Sequence, residues 1–264
     1  MRVSIITCTF NSERYLQQCI DSVKGQSFPF IEHIFIDGSS KDRTIEIIAR
    51  NYERPILLSE PDNGIYDAFN KGVALATGDI VGFLHSDDEL ASFETIQRIV
   101  SAFQNKPDAQ YYCGRMLQIR PENGSIYGIY GKEPNKNEMF HLMSIAHPTV
   151  YCRRTLMDDI GPYTLQYKIA GDVEWCFRLI DSNAPFHYAP DPVVKFRLAG
   201  TSTQFQFRSA WEEFIIKSKR YGFRLAFLYS FVYVAAITAI RMAMVRVGLE
   251  RMVDKIRVRL KKFE

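Results

Sequence analysis

Gly78-Asp79-Ile80-Val81-Gly82-Phe83-Leu84-His85-Ser86-Asp87-Asp88-Glu89-Leu90 is the stretch around which this chain of 264 residues is organised. Ile80 to Leu84 is a short apolar run that reads as a buried strand. It ends in a polar turn that sets Asp87 and Asp88 just beyond the strand's C-terminal edge, the edge along which open α/β sheets bind ligands. Adjacent carboxylates repel one another, so both stay ionised only where a cation lies between them or solvent bathes them. A hard divalent ion with phosphate oxygens as its other ligands meets the first condition. A solvated Asp-Asp turn capping the next helix meets the second.

Upstream, the same pattern repeats three times. Val3 to Cys8 reads as a buried strand, and Asn11 or Ser12 caps a helix whose apolar face is Leu16, Cys19, Ile20 and Val23. Ile34-Phe35-Ile36 runs into Asp37-Gly38-Ser39-Ser40 and a helix carrying Ile45, Ile47 and Ile48. Ile56-Leu57-Leu58 leads through Pro61-Asp62-Asn63-Gly64 into a helix over Ile65 to Ala76. Strands alternating with helices at this spacing predict a parallel, doubly wound sheet with its functional loops on one edge.

Those loops are small and polar, as a nucleotide pocket requires. Thr9, Asn11, Asp37, Ser39, Asp62 and Ser86 are the candidate donor contacts, with Asp37 placed to accept hydrogen bonds from a base or ribose. The plainer alternative is that Asp37 and Ser39 cap the following helix. The chain has neither GxGxxG nor GxxxxGK[ST], which argues against a Rossmann dehydrogenase and a P-loop NTPase.

Past a helix over Phe93 to Asn105 the pattern changes. Tyr111 to Cys113, Met116 to Arg120 and Ile126 to Tyr130 read as short antiparallel strands with a turn at Asn123-Gly124. His147 to Tyr151 reads as a further strand, Arg153 to Ile160 as a short helix, and Ala170 to Ile180 as a helix opening on Asp172. This second half reads as an acceptor-binding half grafted onto the same sheet.

Five scattered cysteines with no CxxC spacing predict reduced core thiols, neither a disulfide framework nor a zinc site. The strand-like run at Val3 begins one residue after Arg2, which predicts no secretory signal and a cytosolic location. The net charge of +3 is unevenly spread: residues 205–264 hold 13 Lys and Arg against 5 Asp and Glu, and residues 1–204 hold 20 against 25. The expected division is a domain over 1–204 and a basic, apolar helical extension over 205–264.

Within that extension Leu225 to Ile240 is an uncharged run of 16 residues. As a helix it reaches about 24 Å, short of a hydrocarbon core of roughly 30 Å. It lies in the interface, enters it partly, or spans only with Arg241 and Arg246 snorkelling. Arg251, Lys255, Arg257, Arg259, Lys261 and Lys262 follow on an amphipathic helix suited to the anionic cytoplasmic leaflet. A homo-oligomerising helix pair is the competing reading. Nucleic acid is a poorer partner, because the apolar run has no purpose there.

Taken together, Val3-Ser4-Ile5-Ile6-Thr7, Ile36-Asp37-Gly38-Ser39-Ser40-Lys41-Asp42-Arg43-Thr44, Gly64-Ile65-Tyr66-Asp67-Ala68-Phe69-Asn70-Lys71-Gly72, Gly78-Asp79 and Ser86-Asp87-Asp88 form an ordered set. It resembles the family 2 glycosyltransferases over about residues 1 to 200, and the Gly64 to Gly72 segment resembles their bacterial surface-polysaccharide branch. The resemblance implies a GT-A fold, a Rossmann-like and mostly parallel sheet with helices on both faces. It also implies transfer of a sugar from a nucleotide diphosphate with inversion at the anomeric carbon. Carried over, Thr9 and Asp37 hold the base and ribose. Asp88 contacts a Mg or Mn ion that bridges the diphosphate, with Asp87 beside it as a second metal-side carboxylate and contact to sugar or ribose. Asp172 falls where the family places its catalytic base, ahead of Trp175 and Arg178. The chain departs from the pattern twice: Ser12 separates Asn11 from Glu13, and Gly171 stands where a glutamate often precedes the base, leaving Glu174 as a rival.

The chemistry requires these types. A nucleotide diphosphate leaves when its developing charge is neutralised, which a cation does as a Lewis acid. On the opposite side the acceptor hydroxyl loses its proton to a positioned carboxylate. The reading therefore expects a carboxylate pair on the metal side and a separate one on the acceptor side. Asp172 also suits a plain helix cap. Lys71, four residues after Asp67, suits a helical ion pair as well as a phosphate contact. His147 is a candidate acceptor or diphosphate contact or a structural histidine, and Arg197 with Gly200-Thr201-Ser202 resembles a loop that closes over the donor. The acceptor is expected to be a glycan or a lipid-linked glycan at the inner face of the cell membrane. The alternatives are an inactive nucleotide-sugar-binding or scaffold protein and a nucleotidyltransferase, whose glycine- and arginine-rich phosphate loop is absent.

Overall fold

The computed structural model describes residues 1–136, 143–198 and 206–225, and beyond them 227–229, 231–233, 235–236 and 239. Two compact units divide the chain, Met1–Gly200 and Thr201–Glu264.

The first unit is α/β. β1 (Val3–Thr9), β2 (Ile31–Asp37), β3 (Ile56–Ser59) and β4 (Ile80–Phe83) alternate with α1 (Leu16–Lys24), α2 (Thr44–Asn51) and α3 (Ile65–Leu75). β1 pairs in parallel with β2 and β4, and β2 with β3, as expected of right-handed crossovers. The period-two alternation of β1 and β2 supplies both faces. Leu16 and Ile20 of α1 and Ile47 and Ile48 of α2 bury Phe35 on one side, and Gly72 brings α3 against Ile6 and Ile36 on the other.

The remaining elements are β5 (Glu89–Leu90), α4 (Thr95–Asn105), β6 (Tyr111–Ile119), β7 (Ile126–Tyr130), a 3-10 turn at His147–Thr149, β8 (Tyr151–Arg153), α5 (Arg154–Ile160), α6 (Gly171–Asp181) and β9 (Phe186–Arg197). Among the described residues nine strands form one sheet in the order β3-β2-β1-β4-β8-β6-β9-β5, with β7 paired to β6. β8 runs antiparallel to both β4 and β6, so the sheet is parallel in its first half and mixed in its second. β6 thereby points the same way as β4, and its C-terminal end, like that of its parallel neighbour β9, reaches the functional edge.

Three local expectations are corrected. Tyr111 to Ile119 is one strand rather than two, because β9 pairs along its whole length. His147 to Thr149 is a 3-10 turn, since Pro148 lacks the ladder N–H, and the strand begins only at Tyr151. α1 starts at Leu16 after Tyr15 with no side-chain cap, and Asn11 instead adopts a left-handed φ of +50°.

In the second unit α7 (Gln206–Tyr221) carries an Arg208–Glu212 ion pair one turn apart at 2.9 Å. Trp211 stacks on Phe214 at 5.4 Å and meets Phe231 edge-on at 5.3 Å. Trp211, Phe223, Leu225 and Tyr229 are exposed. No helix among the described residues is long and apolar enough to cross a membrane. The expected amphipathic helix from Arg241 onward, Gly200-Thr201-Ser202 and part of the Leu225 to Ile240 run lie outside the described residues.

Gly82 fixes the junction of β4 and β8. It sits opposite Tyr151, and a Cβ there would meet Tyr151 Cε1 at 2.3 Å. Tyr151 is fully buried and cannot swing away. Gly82→Ala is therefore expected to destabilise the protein by about 3 kcal/mol, read as a lowered urea midpoint with an unchanged slope.

Candidate active site

The donor side is built on Asp37, the last residue of β2. It pairs with Thr9 across the β1–β2 ladder, and both are buried. Thr9 Oγ1 donates to Asp37 Oδ1 at 2.9 Å, the Ser40 N–H to Oδ2 at 2.9 Å and Ser59 Oγ to Oδ2 at 2.8 Å, while Ser40 Oγ donates to Oδ1. Burial pushes the Asp37 carboxyl up, but these donors outweigh it and hold it below its ordinary value. A carboxylate accepts about four hydrogen bonds, so this one is fully used. In this arrangement Thr9 and Asp37 tie the β1, β2 and β3 loops into one floor.

Asn11 and Ser39 flank that floor in left-handed conformations, φ +50° and +64°. Asn11 Oδ1 accepts from the Lys41 N–H at 2.8 Å, and the Asn11 N–H donates to Ser40 Oγ at 2.8 Å. Gly38 lies between Phe10 and Asp62, since a Cβ there would meet Asp62 Oδ2 at 2.7 Å and Phe10 Cδ2 at 3.3 Å. Phe10 is 65% exposed, a large apolar ring standing over a polar floor. Asp62 Oδ1 accepts from the Gly64 N–H at 2.8 Å and shapes the entry to α3. Lys71 pairs with Glu60 at 2.8 Å and Asp67 at 3.3 Å and donates to the Pro61 carbonyl. Its phosphate role gives way to fastening the β3 loop.

Beyond β4, Ser86 Oγ and Ser12 Oγ are hydrogen-bonded at 2.9 Å. The two acidic residues then diverge. Asp88 is fully buried, with Oδ1 accepting the Arg197 N–H at 2.8 Å and Oδ2 buried without a hydrogen-bond partner. Burial, then the Asp87 charge, push its carboxyl well above the usual range. Asp87 is half-buried, and its carboxylate makes no hydrogen bond or ion pair among the described residues.

Arg197 fixes this divergence. Its guanidinium donates to the Asp87 carbonyl at 3.0 Å, Gln18 Oε1 at 2.9 Å and Glu89 Oε1 at 3.0 Å, and it stacks 4.2 Å from the Tyr15 ring centroid. It ends β9 and is 4% exposed, a clamp under the acidic turn, and the rest of the expected loop, Gly200-Thr201-Ser202, lies outside the described residues.

The acceptor side centres on Asp172 in the first turn of α6. Its Oδ1 lies 3.0 Å from the Tyr66 hydroxyl of α3. Burial raises its carboxyl, with Tyr66, the Val173 N–H and His85 pulling the other way. Glu174 and Arg178 are spent on each other at 3.0 Å, and Arg178 also donates to the Ile160, Gly161 and Pro162 carbonyls. The pair holds the turn that leads to Tyr163. His147 is internal: it is 3% exposed, hydrogen-bonded to the Tyr163 hydroxyl at 2.8 Å and stacked on Phe69 at 5.7 Å. Burial, then His85, lower it to about 3, so it is neutral.

His85 joins the two sides. Burial lowers its imidazole, while the charges of Asp87 and Asp172 both reach it and raise it. Three residues given no role in the sequence reading therefore matter: Phe10, an apolar ring in a polar loop, and Tyr66 and Asn70, one helical turn apart on α3. Asn70 bonds both the N–H and carbonyl of Tyr163, at 2.8 and 2.9 Å.

The family model described as glycosyl transferase family 2 matches residues 4–161. The chain belongs to this family. A glycosyltransferase of this family from Mycobacterium bovis, named for PGL/p-HBAD biosynthesis, is 32% identical over 185 residues, covering 69% of this chain and 70% of the relative. The crystal structure of S. aureus TarS in complex with UDP-GlcNAc superposes with a TM-score of 0.63 at 20% identity, over 82% of this chain and 66% of that one, just under two thirds. The mannosyltransferase PcManGT from Pyrobaculum calidifontis, in complex with GDP-Man and Mn2+, gives 0.64 at 16% identity over 99% and 87%. These two likenesses identify the fold. The protein is a glycosyltransferase, and its Asp172 lies beyond the stretch that the family model matches.

Whether this family 2 chain fits a divalent cation turns on its carboxylates. No cluster of three or more His, Cys, Asp or Glu suited to a metal occurs among the described residues. The free carboxylate of Asp87 fits an ion that takes most of its ligands from phosphates, the habit of Mg²⁺ sites. Asp88 Oδ2 is buried with no hydrogen-bond partner, and Asp87 is the carboxylate of the pair that is open to an ion in this arrangement.

Removing the clamp tests the reading of the acidic turn. Arg197→Ala is expected to cost about 2–3 kcal/mol in urea unfolding, below the full price of breaking a wholly buried pair because Glu89 is partly exposed. Arg197→Lys recovers only part, since one ammonium lacks the planar fork that reaches Gln18, Glu89 and the Asp87 carbonyl together.

Proposed function

We propose that the protein transfers a sugar from a nucleoside-diphosphate sugar to an acceptor hydroxyl in one inverting displacement assisted by a divalent cation. The observation that carries this reading is the contrast between two carboxylates: Asp87 beyond β4, whose side chain makes no hydrogen bond or ion pair among the described residues, and Asp172 in the first turn of α6, whose Oδ1 lies 3.0 Å from the Tyr66 hydroxyl. Nucleotide-sugar complexes of two structural neighbours support the donor class, and the Mn2+ in one of them supports the cation.

The Asp37 floor shapes the nucleoside site, with the exposed Phe10 ring as a surface on which a base stacks. Asp87, with the donor's phosphate oxygens, holds the magnesium- or manganese-class ion, which when bound neutralises charge on the leaving diphosphate. Asp172 accepts the proton of the acceptor hydroxyl as that oxygen bonds to the anomeric carbon. The bond from that carbon to the phosphate oxygen breaks, and the nucleoside diphosphate departs with its electron pair. A carboxyl raised by burial is a stronger base than an ordinary one.

The acceptor we propose is a lipid-linked glycan or glycolipid at the inner face of the cell membrane, in surface glycoconjugate assembly. The name of the mycobacterial relatives, the positive charge of residues 205–264 and the exposed Trp211, Phe223, Leu225 and Tyr229 support it.

Binding and turnover of UDP-GlcNAc, GDP-Man and a panel of related donors, with Mn²⁺ and with EDTA, test the transfer reading. Asp87→Ala is expected to abolish the part of donor binding that EDTA removes. Asp172→Asn should spare binding and lower turnover by about 10²–10⁴-fold. Undiminished turnover in EDTA sinks the metal assignment. Because a base must be ionised and the Asp172 pKa is raised, kcat in the wild type should fall as pH drops through a value above the ordinary carboxylate range. For the membrane reading, sedimentation with phosphatidylserine vesicles at low salt, lost at high salt, is the expected result. Failure to sediment at low salt contradicts it.

A further inference from the structure

The Tyr66 hydroxyl lies 2.6 Å from the Ile169 carbonyl oxygen and 3.0 Å from Asp172 Oδ1. A phenol has one proton, and both neighbours are acceptors when Asp172 is ionised. With Asp172 ionised, the Tyr66 O–H turns to Oδ1. When the acceptor's proton arrives at Oδ2, Oδ1 becomes the carbonyl oxygen of the acid and still accepts from the Tyr66 O–H. The same hydroxyl thus serves both protonation states that a general base passes through.

We propose that Tyr66 is the positioning residue of the transfer reaction: it holds Oδ1 of Asp172 in both protonation states, so that Oδ2 is the oxygen presented to the acceptor hydroxyl. This rests on the reading of Asp172 as the base. Two further features of the chain support it. Gly171 is the departure from the family pattern noted in the sequence, and a Cβ there would meet Tyr66 Cε2 at 2.7 Å. The tyrosine ring occupies the volume that a larger residue before the base would need. One helical turn along α3, Asn70 fastens the backbone of Tyr163, which stacks 6.0 Å from Tyr66 and 5.1 Å from Trp175. The face of α3 bearing Tyr66 and Asn70 therefore carries the whole segment that delivers Asp172. The hydroxyl sits on the part of that face where a proton is transferred.

The titratable groups around Asp172 are Tyr66 from α3, His85 from the acidic turn, Tyr163 from the segment before α6, and Cys176 and Glu174 on α6. Burial pushes Tyr163 and Cys176 well up, so they stay neutral, and Glu174 is paired with Arg178. Tyr66→Phe keeps the ring against Gly171 and removes only the hydroxyl.

The test is a ¹³C NMR titration of the aspartate carboxyls in the whole protein, with Asp172 assigned by the signal lost in Asp172→Asn, beside hydrolysis of UDP-GlcNAc and GDP-Man with water as acceptor. The Asp172 midpoint should rise in Tyr66→Phe by about one pH unit, a tenfold gain in proton affinity. kcat should fall and its acid limb should move with the midpoint, while donor KM is unchanged. A packing role alone leaves the midpoint in place, and an unmoved midpoint overturns the proposal. If Asp172→Asn still turns over donor at the wild-type rate, the base assignment itself fails, whatever Tyr66→Phe does.

Discussion

The functional edge depends on one guanidinium. Without Arg197, the acidic turn after β4 would place Asp87, Asp88 and Glu89 in sequence with little to set their directions. With it, the Asp87 carbonyl, Glu89 and Gln18 are drawn to a single planar fork, and the Arg197 N–H takes one oxygen of Asp88. The charge is not spread evenly over the three acids. It neutralises Glu89 and leaves the Asp87 side chain free, which turns an indiscriminate cluster into one usable ligand.

The carboxylates along this edge then differ by environment alone. Asp37 is saturated by hydroxyl and N–H donors and stays ionised as part of the floor. Asp88 is buried with one oxygen unpaired. The Asp87 carboxylate makes no hydrogen bond or ion pair among the described residues, and Asp172, bonded to the Tyr66 hydroxyl with the Val173 N–H nearby, has a raised proton affinity. Repulsion disfavours a tight cluster of ionised acids, and the fold gives each carboxylate a different number of donors.

The repeating βα pattern made the first four strands and both helix layers readable, because each strand is a continuous apolar run and each helix shows a single apolar stripe. β9 was not readable. It contains Pro190 and Pro192, which look like a turn; the ladder accommodates them where its register with β6 shifts between Cys113 and Met116. At the site, Asp87 and Asp172 stood out by type and position. Which acid faces outward did not, because the N–H that captures Asp88 comes from Arg197, 109 residues away. The spacing of Lys71 from Asp67 carried a true signal, the ion pair, whereas His147, Glu174 and Arg178 looked catalytic by type and became internal by packing. Tyr66 and Asn70 share a helix face by their spacing of four, yet nothing local says that the face meets the segment before α6.

The opposite end of the sheet shows what the functional edge gives up. There Glu32 accepts from Ser4, from the N–H and hydroxyl of Thr77 and from the Gly78 N–H, and those donors bring its carboxyl below the ordinary value despite burial. Four donors meet the carboxylate, three at Oε1 and one at Oε2, and they join β1, β2 and the turn before β4. At the functional edge, by contrast, Asn11 and Ser39 hold left-handed backbones, Asp88 keeps an unpaired oxygen, and Tyr66 has one proton for two acceptors. Each of these costs free energy that a chain selected for stability alone would shed. A bound ligand that supplied the missing charge or proton would offset that cost at this edge.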